Sequence, residues 1–319
     1  MVRVTRLPEN EKEKYTLMSE DVRKYIEEKT GKQCVSCIEI KSGDGLRTHY
    51  KVSLSDDQVY LFKILHLSES RLRTYNSIMQ TDIDCFQKTL YLWEIQQNKY
   101  GALIEWKESL IPFGYRGCDK TAIIGYVKEA AKTIRKVHEN FLRDEICITP
   151  KDVENFFDIN RELLDSYQAD ILREYVVNNM RYLNGRKKTV IHGDLHLKNM
   201  MVTVEGSFFI DLDDCDYNDP YLDLIYASNL IKSSEEYVYY YHFLKSYFED
   251  NIPQDFWIVV NIYSIYKAIF IMRCEKKFTY NHKPIFGFET FIRQHQMMHT
   301  HVPQWFMILE EQLNKERIK

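Results

Sequence analysis

Apolar and polar residues alternate in short runs through the first third of the chain and then settle into helical spacing. Val35–Ile40, His49–Leu54 and Gln58–Leu65 read as strands, the last two joined by the turn Ser55-Asp56-Asp57. Leu90–Gln96 and Gly101–Trp106 form a second hairpin pattern around Asn98-Lys99-Tyr100. Ser19 ahead of Glu20 and Asp21, with Gly31 closing the segment, predicts a capped helix, and Ser68–Gln80 predicts another. Beyond Trp106 the period changes. Ile123, Val127, Ala131, Ile134 and His138 fall on one face of a long helix over Asp119–Asn140. Val153–Asn179 reads as mainly helical, Val202–Val204 and Phe208–Leu212 as short strands around Glu205-Gly206, and Tyr221 onward as helices rich in Tyr, Phe and Ile. The pattern predicts an α+β chain of two lobes: residues 1–105, small and β-rich, and residues 106–319, larger and mainly helical, joined near Ile104-Glu105-Trp106.

Composition narrows the class. Hydrophobic residues make up 45% and charged residues 28% of 319, an ordinary globular balance. A net charge of -4 argues against a nucleic-acid partner, which needs a basic surface. The longest apolar stretch, Phe256–Met272, is broken by Asn261, Ser264 and Lys267 and reads as a buried helix rather than a membrane span. Seven scattered cysteines cannot all pair within the chain, and Cys34 and Cys37 form one CxxC without a second; reduced thiols and a cytoplasmic location are expected. The His295–His301 run permits metal binding at helical spacing, although surface histidines are the simpler reading.

The chemistry concentrates in His192-Gly193-Asp194-Leu195-His196-Leu197-Lys198-Asn199 and, after a segment of hairpin length, Ile210-Asp211-Leu212-Asp213-Asp214. Phosphoryl transfer asks a protein to align a hydroxyl and neutralise phosphate charge. An Asp such as Asp194 can orient the hydroxyl and take its proton. Asn199 offers an amide oxygen and Asp211 a carboxylate, the ligands a hard Mg²⁺ ion prefers. Asp213 is a candidate secondary metal ligand, and His192, beside Ile191, a packed support. In the first lobe, Lys63 lies in the apolar strand Val59–Ile64, where a charge needs a partner. Gly43 and Gly45 sit where backbone N–H groups approach phosphate, or in an ordinary turn.

These motifs resemble the aminoglycoside phosphotransferase and choline kinase superfamily, the small-molecule branch of the protein-kinase-like fold. The resemblance spans about Ile38–Asp223, with Asp219-Pro220-Tyr221-Leu222-Asp223-Leu224 matching the helix start behind the catalytic loop. It implies Asp194 as catalytic base, Asn199 and Asp211 as magnesium ligands, Lys63 on the nucleotide phosphates, and Asp223 bracing the loop. It places adenine near Glu105 and Trp106. The family's lysine pairs with a helix glutamate; Glu69 is the one acid in the expected helix, early in it, and Lys63 is held either by Glu69 or otherwise. The implied activity is ATP- and Mg²⁺-dependent transfer to a small-molecule hydroxyl, with GTP as the other nucleotide. The alternatives are a nucleotide-binding pseudokinase or a protein kinase. Only about ten residues link Asp211 to Tyr221, which leaves little platform for a peptide. Balanced charge after Ser228 disfavours a polycationic acceptor.

Overall fold

The computed structural model describes residues 19–41, 48–111, 115, 117–145, 155–156, 158, 166–228, 236–278 and 301–317. Gly43, Gly45 and His295–Thr300 lie outside them. The chain divides into two compact units, residues 1–113 with 201–216, and residues 114–200 with 217–319. The hairpin after Asn199 groups with the first unit, where its main chain bonds to that of Leu110, Cys85 and Gln87.

The first unit is a sheet carried by alternation. Strands β1 (Cys34–Lys41), β2 (Thr48–Leu54), β3 (Val59–His66), β4 (Thr89–Gln96) and β5 (Lys99–Glu105) run in the order β1-β2-β3-β5-β4, each neighbour antiparallel. Helix α1 (Ser19–Thr30) lays Val22 and Ile26 onto Tyr50, Val52, Phe62 and Leu103. Successive strand residues point to opposite faces. Phe62 therefore enters that core while its buried neighbour Lys63 points to the other face. Helix α2 (Glu69–Met79) follows β3, capped by the Ser68 hydroxyl, which accepts from the Arg71 amide. A hairpin of β7 (Met200–Thr203) and β8 (Gly206–Phe209) completes the unit.

The second unit is mainly helical. Its helices are α3 (Lys120–Asn140), α4 (Ser166–Asn179), α5 (Tyr221–Ala227), α6 (Tyr237–Tyr247), α7 (Phe256–Phe278) and α8 (Gln304–Arg317). Asp119 caps α3 by accepting from the Ala122 amide, and of the predicted stripe Val127, Ala131, Ile134 and His138 are buried while Ile123 is partly exposed. Helices α3 and α6 pack together, as do α5 and α7. The short strand β6 (Thr189–Ile191), buried throughout, pairs with β9 (Asp216–Asn218), whose last two residues belong to this unit. The sequence pattern did not predict β9, three polar or aromatic residues defined by their partner alone. Among the described residues no helix is long and apolar enough to cross a membrane.

Candidate active site

The catalytic-loop motif leaves β6 directly. His192 is fully buried and Gly193 has φ +82°, a backbone setting that favours glycine. Asp223, fully buried on α5, binds this turn twice and helix α3 once. It accepts the His192 amide at 2.7 Å, the Gly193 amide at 2.9 Å and faces His138 Nε2 at 3.1 Å. His138 in turn meets the Tyr247 hydroxyl through Nδ1 at 2.7 Å. A buried carboxylate is stable only with such partners, and here they fix the loop to three helices. His192 Nδ1 accepts the Asp194 amide at 3.2 Å, so His192 supports the backbone from within.

Asp194 itself stays partly exposed, with His196 Nε2 at 3.5 Å from its carboxylate. The Asn199 side-chain nitrogen donates to the Asp194 carbonyl at 3.0 Å. That bond turns the amide oxygen to the remaining side, which fits the ligand a hard cation takes.

In the first unit, Lys63 is buried and binds Asp211 at 2.8 Å and, by a shorter contact, Asp213. Burial alone would strip its proton, but the fields of Asp211 and then Asp213 prevail and hold the ammonium above the ordinary lysine range. Asp211 sits in the left-handed region, φ 64° and ψ 57°, a costly setting that Asp tolerates better than most residues. Of the two possibilities left open for Lys63, it is held otherwise than by Glu69, which pairs with Arg73 at 2.7 Å on the exposed side of α2. Two residues further on, Arg71 reaches the Asp-rich segment. It donates to the Asp213 carbonyl at 2.8 Å and lies 3.3 Å from the Asp216 carboxylate and 3.7 Å from that of Asp214. The helix thus supplies a cation and the loop the anions.

Gln87 was missed in the sequence. Its buried amide donates to the Glu105 carbonyl at 2.9 Å, and its oxygen accepts the Asp211 amide at 3.4 Å. The Glu105 amide donates to the Lys88 carbonyl at 2.8 Å, so both main-chain groups of Glu105 are already engaged. Trp106 donates to Glu108 at 2.6 Å, and the Lys51 ammonium lies 4.3 Å from its ring centroid. Among the described residues no group of three or more His, Cys, Asp and Glu is placed to hold a metal.

Two layers of comparison define the class. The fold is kinase-like, with a β-rich first unit and a mainly helical second. It matches the complex of gentamicin with APH(2")-IIa at a TM-score of 0.60 and 14% identity, covering 92% of this chain and 99% of that one. It matches the choline kinase LicA from Streptococcus pneumoniae at 0.52 and 16% identity, covering 88% and 97%. Spectinomycin phosphotransferase APH(9)-Ia, in complex with ADP and spectinomycin, matches at 0.51 and 16% identity, covering 90% and 96%. Residues 127–252 match the model of the APH phosphotransferase enzyme family, which bears out the superfamily read from the motifs. No curated protein matches the sequence.

Proposed function

We propose that the protein is an ATP- and Mg²⁺-dependent phosphotransferase that moves the γ-phosphoryl group to a hydroxyl of a small molecule. The observation that carries this reading is the anchored loop. Asp223 clamps the His192 and Gly193 amides while Asn199 ties back to the Asp194 carbonyl, so the Asp194 backbone is held rigidly while its side chain is partly exposed. Rigid placement of an acceptor-facing carboxylate is what in-line transfer requires.

In the proposed step the acceptor oxygen forms a bond to the γ-phosphorus as the bond to the bridging oxygen breaks, and ADP leaves. Asp194 orients the hydroxyl and takes its proton. Lys63 would hold nucleotide phosphate oxygens, with Asp213 as the second counter-ion of its ammonium. Asn199 and Asp211 would hold Mg²⁺, which when bound neutralises phosphate charge. ATP is preferred here over GTP because relatives of the same fold are described with ADP and with AMP bound. A regulatory nucleotide-binding module is the second reading, favoured by the displacement of Glu69 from Lys63.

The test is Mg·ATP binding by calorimetry, followed by ATP turnover with pooled hydroxyl compounds. Asp194→Ala should lose about 10²- to 10⁴-fold in turnover while keeping its affinity for Mg·ATP. Turnover that survives in Asp194→Ala refutes the assignment. Binding without turnover on any hydroxyl compound selects the regulatory module.

A further inference from the structure

Three helices of the second unit converge without closing the space between them. On α8, Trp305, Leu309 and Leu313 are spaced by four and so share a face. Lys120 and Ile124 are spaced likewise on α3, and Val238 and His242 on α6. All seven line a cleft of about 630 Å³, within the roughly 300–1,000 Å³ of small-molecule sites. Helix α6 packs against both α3 and α8, and Lys245 of α6 meets Glu310 of α8 at 2.7 Å. The floor is fixed by rings. Trp305 stacks on Tyr237 with centroids 4.8 Å apart. Phe306, the next residue, is buried with its centroid 5.1 Å from those of Tyr241 and Trp257. The cleft is remote from the catalytic loop. His138, which meets Asp223, stands fourteen residues beyond Ile124 on α3, about 21 Å along the axis.

We propose that this cleft binds a medium-chain aliphatic carboxylate, with the alkyl chain inside and the carboxylate at Lys120. Such binding is independent of the phosphotransferase reading, because none of these residues belongs to the catalytic loop or to the Lys63 cluster. All three helices contribute aliphatic wall, Ile124, Val238, Leu309 and Leu313, and the Trp305–Tyr237 pair adds a ring surface. An alkyl chain gains from burial against aliphatic and aromatic surface alike, with no ring angle to satisfy. The charged end follows from Lys120. It is exposed on the first turn of α3 and lines the cleft, so its ammonium can meet a carboxylate where the cleft reaches water. The neighbouring acid, Asp119, turns its carboxylate to the Ala122 amide at 2.9 Å. A cationic amphiphile would meet repulsion from Lys120 instead.

The experiment is calorimetric titration of the full chain with hexanoate, octanoate and decanoate, each below its micellar range. Octanol and octylamine serve as the neutral and cationic matches of octanoate. Decanoate should bind at one saturable site, and affinity should rise by up to about fourfold for each added methylene. Octanoate should bind about threefold to tenfold more tightly than octanol, and octylamine more weakly than either. Lys120→Met, at an exposed position, should erase the margin of octanoate over octanol and leave octanol binding unchanged. Leu313→Trp should fill the cleft and weaken every member of the series; Ile124→Trp blocks it from α3 should Leu313→Trp not fold, with urea midpoints as the check. Absence of saturable decanoate binding overturns the proposal. So does decanoate affinity unchanged in a folded tryptophan variant, which would place the binding elsewhere on the protein. Octanoate bound no better than octanol, or as well by Lys120→Met as by wild type, overturns it too. No nucleotide is present in these titrations, so failure of the kinase reading leaves their outcome untouched.

Discussion

Replacing Lys267 by Met should make the ligand-free protein more stable at neutral pH, the opposite of most substitutions at half-buried positions. Burial lowers the Lys267 ammonium from the ordinary 10.5 to about 8, against the opposing pull of Asp194. Two acids of the same unit are already engaged: Asp219 is bound by Arg186 and Tyr263, and Asp194 lies beside His196. Below pH 8 the lysine is charged in both the folded and unfolded chain, and the folded state bears the whole burial cost. Between about 8 and 10.5 the unfolded chain binds more protons than the folded one, so this lysine's contribution makes stability rise with pH. A proton affinity lowered that far corresponds to about 3 kcal/mol. Residual hydration and the lost contact with the Tyr226 ring, 4.4 Å from the ammonium, reduce the net gain for Met to about 1–2 kcal/mol. The assay is urea unfolding of both proteins at pH 7 and pH 10.5. Lys267→Met should have the higher midpoint at pH 7, and the two midpoints should converge at pH 10.5. An equal or lower midpoint for the variant at pH 7, or a gap that does not close with pH, refutes the reasoning. Lys267→Arg, which keeps its charge throughout, should show no such convergence.

Asp223→Asn should lower the urea midpoint sharply, because an amide cannot accept from the His192 and Gly193 amides and also serve His138; at about 1–3 kcal/mol for each donor left unpaired, the loss is a large share of total stability. An unchanged midpoint would show that the clamp is not what holds the loop. Lys63→Met should fold yet lose at least about tenfold in Mg·ATP affinity, measured by calorimetry, since hydrogen bonds to charged groups contribute at this level; equal affinity would take Lys63 out of the nucleotide site. Glu69→Ala should leave KM for ATP unchanged, because its pair with Arg73 is exposed and such pairs contribute little. Arg71→Met should raise that KM by freeing the Asp213–Asp216 segment, and steady-state kinetics on the two variants would expose a reversed order.

Much of this was legible because it was local. The caps at Ser68 and Asp119, the β2–β3 turn and the helical stripe of α3 are written in neighbouring residues. His192 to Asn199 carried its meaning through spacing. Asp223 was readable as a brace, though its third partner His138 looked like one more position of a buried stripe. What escaped depends on distant pairing. Gln87 bonds Glu105 and Asp211 across 18 and 124 residues of chain, and no residue beside it announces that. β9 exists only through β6, and the hairpin after Asn199 joins the first unit through bonds to the distant Leu110, Cys85 and Gln87. Lys267 did leave a signal, a charge inside the longest apolar stretch, but that signal alone cannot name its neighbours.

The exchange at Lys63 shows why the family's lysine–glutamate rule need not be obeyed residue by residue. What the physics demands is a counter-charge for a buried ammonium, held where it cannot drift. A glutamate on the helix after β3 is one solution. In this chain Asp213 is another, and it is fixed by Arg71 binding its carbonyl and the flanking Asp214 and Asp216 carboxylates. Because Asp211 shares the same ammonium, the lysine, the α2 helix and the proposed metal-binding carboxylate form one electrostatic unit. With Asp211 serving as a metal ligand, Asp213 would remain the counter-ion of the Lys63 ammonium. A helix glutamate would place these two roles on separate parts of the chain; an aspartate two residues beyond Asp211 places them in one short turn.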